Sequence, residues 1–437
     1  MKTLSLRSAA LSILCVSFLA AQPPDNTKLR QVFIVSRHSV RASVAPNSYL
    51  NSYSARPFPA FNVAPGILTE NGAKLETILG GYYRLWLTKE GLLTGKDASD
   101  APYTYFRANV IQRTRATAQA FAAGLLPGAS INVISFPDNT SDPLFDPVGA
   151  GVARLDPRKA VAAVKGRLGG SAASLASAFA PELALTRSIL LGYPPGQTPV
   201  PATPPGVIDA TTIPIEVTPG SASSPVHLGG LDTVSIAVDP FIMQYADGMP
   251  SADVGWGQLT APGLIQTMRL YNLEIDLNFR TPYLAGVQSS NLASHVVRSL
   301  LQSATGNAMP GALGDPAAKV IMLVASDVNL GSLAGLFYLD WLLPGYQENY
   351  CAPGGALVLE LRQSQRNGEY IVRASYIAQT LEQLRNRTAL TLSAPPAIAP
   401  VFIPGCSTRN ATFDCALTDF VEVSKHVIDP ASADRVQ

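Results

Sequence analysis

Five side chains in this sequence have the types and the placement for phosphoryl chemistry. Arg37 and Arg41 bracket His38 in the stretch VFIVSRHSVRAS, Arg113 opens RTRATAQAFAAGL, and Asp327 follows the run KVIMLVAS. Guanidinium groups hold phosphate through paired, charge-assisted hydrogen bonds, and three of them offset most of the charge of a phosphate dianion. A histidine set among such cations gives up its proton easily, because neighbouring positive charge lowers its pKa, and the neutral nitrogen left behind can attack phosphorus. The expelled alkoxide then needs a proton, and Asp327, at the end of a strand, stands where a general acid is required.

These residues are far apart in sequence, so the elements before them must bring them together. Residues 31–36 read as a buried strand, and the polar cluster after it as the loop leaving its carboxyl end. From Thr69, an N-cap type, Leu75, Ile78, Leu79, Tyr82, Tyr83, Trp86 and Leu87 fall at helical spacing up to about Gly91. Residues 103–106 predict a second strand and the segment from Arg113 a helix; residues 319–326 are the strongest buried strand of the chain, followed by an apolar helical stretch. Strands alternating with helices predict an α/β fold with a mainly parallel sheet, whose sites form beyond the carboxyl ends of the strands. The texture changes in between: residues 150–180 are rich in alanine and helix formers, and residues 193–230 in proline, glycine, serine and threonine. Residues 143–284 are expected to form a mainly helical cap inserted into a core made of residues 22–142 and 285–437.

Composition limits the function classes. The 437 residues carry 32 Lys and Arg against 31 Asp and Glu, so nothing marks a nucleic-acid-binding polycation, and any basic site must be local. Lys2 and Arg7 precede an apolar run over residues 8–21, which is shorter than the roughly 18 residues needed to span a bilayer and ends in small side chains. Residues 1–21 are expected to be a secretory signal peptide, leaving a periplasmic or secreted chain with no membrane segment after cleavage. In an oxidising compartment Cys406 and Cys415, in GCSTRNATFDC, form the natural disulfide, with Cys351 left over as a buried or free thiol. No histidine lies at ligand spacing from a cysteine, which argues against zinc; His227, His295 and His426 read as ordinary surface or core histidines.

RHSVRAS resembles RHGxRxP, the signature of the histidine acid phosphatases, and the similarity runs along nearly the whole chain. ANVIQRTRATAQAF, SDPLFDPV, DGMPSADVGWG, RTPYLAGV, ASDVNLGSLAGL, PGGALVLEL, LEQLRNRTALTL and GCSTRNATFDC follow in the order that bacterial periplasmic phytases and glucose-1-phosphatases show. The resemblance implies a phosphoglycerate-mutase-like core with a helical cap. It matches His38 to the nucleophile that becomes a phosphohistidine, Arg37, Arg41 and Arg113 to the phosphate-binding arginines, and Asp327 to the acid of the leaving group. It implies two-step hydrolysis of a small-molecule phosphate monoester, with no cofactor and no metal.

Three departures stand out. Ser39 replaces the family's glycine, where the glucose-1-phosphatase type has asparagine. Ser43, Val44 and Ala45 replace a proline and a polar pair that faces substrate in phytases, and Asn109 stands where phytases carry an aspartate; both changes point away from phytate and toward sugar phosphates or similar small esters. Ser326 replaces the histidine of the family's His-Asp pair, leaving a shorter, uncharged phosphate-binding donor, and losing one preorganised donor to a transition-state oxyanion costs about 10² to 10³ in rate. The alternative function is therefore an impaired family member that binds phosphorylated ligands with little turnover.

Overall fold

Val32 and Ile34 point to one side of the first strand, Phe33 and Val35 to the other, and all four are at most 1% exposed. Two hydrophobic cores explain this, one on each face of the sheet that the strand belongs to. The computed structural model describes residues 25–434, so residues 1–21, read above as a signal peptide, lie outside the described residues. In chain order the strands are β1 (Thr27–Arg37), β2 (Thr104–Ala108), β3 (Val133–Ile134), β4 (Thr218–Pro219), β5 (Val226–His227), β6 (Val320–Ala325), β7 (Ala356–Ser364), β8 (Tyr370–Ala378), β9 (Ala397–Val401) and β10 (Cys415–Ala416).

Eight of them form one sheet in the order β10-β8-β7-β1-β6-β2-β3, with β9 also on β8; β4 and β5 make a separate hairpin. The half that holds β1, β6, β2 and β3 is parallel, whereas β7 runs antiparallel to β1 and starts an antiparallel half made with β8, β9 and β10. The fold is thus α/β with a mixed sheet, and the candidate residues Arg37, His38 and Asp327 lie at the ends of parallel strands. Helices Glu70–Lys89 and Gln112–Leu125 cover one face. Helices Pro282–Thr305 and Asp327–Phe337 cover the other.

Residues 143–284 contribute no strand to this sheet. They form helices Pro157–Arg167, Ala173–Ala178, Ala180–Leu191, Gly230–Ala246 and Ala261–Phe279, with the β4–β5 hairpin between the third and fourth. Thr69 caps the Glu70–Lys89 helix by accepting from the Gly72 amide at 2.9 Å, as its residue type predicts. Gly72 is required there for a second reason: a Cβ would lie 2.2 Å from the Val40 carbonyl oxygen, so this helix start presses directly on the loop after β1. Cys406 and Cys415 are joined by a disulfide, and Cys351 is free and buried. Among the described residues no helix is long and apolar enough to cross a membrane.

Candidate active site

Register in the parallel half brings the separate motifs together. Arg37 pairs with Ala325 at the end of the β1–β6 ladder, and the next residue continues it, with the His38 amide donating to the Ala325 carbonyl at 2.9 Å. On the other side of β6, the Asn109 amide donates to the Val324 carbonyl at 2.9 Å. The carboxyl ends of β1, β6 and β2 therefore place Arg37 and His38, Ser326 and Asp327, and the start of the Arg113 helix side by side.

The imidazole is 2% exposed. Its Nδ1 lies 2.9 Å from the Ser39 carbonyl oxygen, an acceptor only, so Nδ1 carries the hydrogen and the neutral ring presents a lone pair at Nε2. Burial, followed by the charges of Arg113, Arg37 and Arg41, holds the His38 pKa well below the usual histidine range, which favours the neutral ring.

The three arginines differ in what holds them. Arg37 is fully buried; it donates from Nη1 to the Cys351 carbonyl at 2.6 Å and pairs through Nη2 with Asp327 Oδ2 at 2.7 Å. Arg41 is gripped in a two-pronged pair by Asp239, at 2.7 and 3.0 Å. Arg113 has no carboxylate partner among the described residues and donates only to the Gly66 carbonyl at 3.3 Å. Burial and the nearby Arg41 bring its pKa down to about 10, the mark of a cation in need of an anion.

Asp327 is 6% exposed. Burial alone pushes its carboxyl up, but Arg37, the Tyr271 hydroxyl, Arg41 and Arg113 together outweigh that and hold it below the ordinary range. Tyr271 donates to Oδ2 at 2.5 Å, and its ring centroid lies 5.9 Å from the Arg37 guanidinium carbon. Ser326 sits on the wall of a cavity of about 250 Å³ with Asn109, Arg113 and Asn329. Its hydroxyl hydrogen goes to Asn329 Oδ1 at 2.9 Å, in the capping box of the Asp327–Phe337 helix. In this arrangement Ser326 offers an anion a lone pair and not a donor. A second cavity, of about 240 Å³, borders the loop after Arg41 and is lined by Ala42, Ser43, Ala45, Asn47 and Phe61 among others, with no charged side chain.

Three participants escape the sequence reading. Tyr271 carries no local signal in its helix. Asp239 does: an acid within the apolar run SIAVDPFIM must be buried, and a buried acid calls for a cation. Cys351 enters through its backbone carbonyl, which no side-chain pattern announces.

A family model for the histidine phosphatase superfamily (branch 2) matches residues 28–172. The chain is 31% identical over 420 residues to Phytase AppA of Escherichia coli (strain K12), covering 94% of each sequence. It is 29% identical over 433 residues to a glucose-1-phosphatase of Salmonella typhimurium, covering 97% of this chain and 98% of the relative. The solved structure of a Hafnia alvei phytase in complex with tartrate superposes with a TM-score of 0.85 at 30% identity, over 94% of this chain and 100% of that one.

Proposed function

The chain belongs to the histidine phosphatase superfamily (branch 2) as a histidine acid phosphatase that hydrolyses phosphate monoesters, and on that premise we propose a two-step reaction with His38 as nucleophile. The observation that carries this reading is the Ser39 carbonyl on His38 Nδ1, which leaves Nε2 as the free nitrogen of a neutral ring among three arginines. In the first step Nε2 forms a bond to phosphorus while the ester P–O bond breaks toward the departing oxygen, and Asp327 supplies that oxygen with a proton. In the second, water attacks the phosphohistidine, Asp327 takes its proton, and phosphate leaves.

Arg37, Arg41 and Arg113 bind the phosphoryl oxygens in this reading. Asp327 is ionised while Arg37 faces it; a phosphoryl group that draws Arg37 away replaces a cation with negative charge, so the carboxyl takes up a proton from an acid medium. That sequence of events supports an acid optimum. Ser326 assists only when its hydroxyl turns away from Asn329, which supports a slower first step than a histidine would give. The uncharged cavity beside Ser43 and Ala45 favours small organic phosphates such as sugar phosphates over a polyphosphate. The cap is residues 143–284, from which Asp239 and Tyr271 reach the pocket. The apolar N-terminal run and the disulfide favour export to the periplasm or beyond.

The test is hydrolysis of an aryl phosphate by the mature protein across acid pH beside His38→Ala. A rate well above that variant's is expected. Equal rates would leave the binding role with little turnover, for which the commitment of Ser326 to Asn329 is the favouring observation.

A further inference from the structure

Beneath the His38 loop lies a carboxyl that the reaction does not use. Glu76, on the Glu70–Lys89 helix, is 0% exposed, and neither of its oxygens has a hydrogen-bond partner among the described residues. No cation pairs with it there either: the salt bridges of the described residues do not include it. A buried acid with no neighbouring cation is costly unless its proton stays on. Burial accordingly pushes Glu76 up to about 8, against a smaller opposing pull from the Ser39 hydroxyl.

Its surroundings are the backbone that holds the nucleophile. Gly354 has a φ of +69°, and a Cβ there would lie 2.1 Å from Glu76 Oε1 and 3.7 Å from Ser39 Oγ. The Gly354 amide donates to the His38 carbonyl at 3.2 Å. The Ser39 amide donates to Thr117 Oγ1 at 3.1 Å, and the Ser39 carbonyl fixes the His38 ring. The Ser39 hydroxyl is itself buried without a closed hydrogen bond. Both polar groups are therefore shut in together against the two segments that set where His38 stands. A neutral carboxyl and a hydroxyl satisfy each other reciprocally, each as donor and acceptor, whereas a carboxylate leaves a bare charge in the core. Tyr83 on its own helix is an ionisable group that feels Glu76 as well.

We propose that Glu76 is a positioning residue for His38, acting as a protonated partner of the Ser39 hydroxyl and so holding the loop that orients the nucleophilic ring. The inference rests on the reading of His38 as nucleophile. It also explains how this chain accommodates a serine directly after the histidine: the hydroxyl has a buried partner.

A cycle of Glu76→Leu, Ser39→Gly and the double variant tests it, with kcat and KM for an aryl phosphate at acid pH and thermal melting as a check on folding. Glu76→Leu leaves the Ser39 hydroxyl unmatched, and kcat is expected to fall about tenfold with KM little changed, because the ring is displaced and the arginines are not. The double variant removes both polar groups and is expected to recover kcat to within about threefold of Ser39→Gly. Glu76→Gln, which keeps a donor and an acceptor, is expected to stay close to wild type. A kcat for Glu76→Leu within about twofold of wild type, or a double variant no faster than Glu76→Leu, would overturn the positioning role alone. A His38→Ala variant as fast as wild type would instead overturn the nucleophile reading, and this proposal with it.

Discussion

Tyr271→Phe isolates one contact of the acid. The ring that faces Arg37 at 5.9 Å is kept, and the hydroxyl 2.5 Å from Asp327 Oδ2 is lost, with its weak acceptance from Arg37 Nη2 at 3.4 Å, while Arg37 remains at 2.7 Å from the same Asp327 oxygen. A hydrogen bond to a charged group contributes about 1.5–3 kcal/mol, and about 1.4 kcal/mol corresponds to one pH unit of proton affinity. The hydroxyl stabilises the ionised carboxylate, so removing it makes Asp327 hold its proton to higher pH. In the proposed mechanism Asp327 acts protonated in the first step. The alkaline limb of kcat/KM, which reports the free enzyme, therefore moves upward by about one to two pH units. The assay is a pH profile of kcat/KM for an alkyl phosphate, whose poor leaving group depends on the acid, measured on both proteins in the same buffers. A limb that stays in place, or moves to lower pH, refutes the assignment of Asp327 as the acid tuned by Tyr271.

Other consequences follow from the buried charges and the Ser326 helix start. Asp239→Asn leaves Arg41 buried without its counter-charge, a loss of about 3–5 kcal/mol; melting should fall, and inorganic phosphate should raise the melting temperature more in this variant than in wild type, because phosphate then replaces the missing carboxylate. Ser326→His restores a donor at the cost of a helix cap worth about 1 kcal/mol, so kcat should rise about tenfold or more while the melting temperature drops slightly. Glu76 has a folded pKa raised to about 8, so the stability it permits is full below the unfolded value and is lost as pH rises through about 8. The stability of wild type relative to Glu76→Gln should therefore fall by up to about 1.4 kcal/mol per pH unit as pH rises from the ordinary carboxyl range toward about 8, and denaturant titrations at acid and mildly alkaline pH check it.

The parallel half of the fold is legible in the sequence because its strands are buried on both faces. Residues 31–36 and 319–326 contain hardly a charge, and the structure places them in adjacent strands in direct register. The antiparallel half is harder to read. β7 carries Glu360 and Arg362 in its interior, which break the apolar run, yet both are buried: Arg362 reaches Glu90 at 2.7 Å and also pairs with Glu360. That compensation appears only once Glu90, at the end of a distant helix, is in place. The site divides in the same way. Arg37, His38 and Asp327 follow strand ends and stand out locally, and Arg113 opens a helix directly after β2. Tyr271 and Asp239 arrive from helices of the 143–284 region and meet the pocket through tertiary packing. Glu76 lies on the buried stripe of its helix with Gly72 and Tyr83; an acid on such a stripe is a signal in the sequence, though its partner, Ser39, is not.

The measurement that bears most directly on the mechanism is a search for the covalent intermediate. Wild type and His38→Ala are mixed with a radiolabelled aryl phosphate, quenched in alkali, where a phosphorus–nitrogen bond to histidine survives, and the label on protein is counted against product formed. The account predicts label on wild type that forms before steady-state turnover, is released by acid and is absent from His38→Ala. Turnover by wild type without any such label, or equal label on the variant, would contradict it.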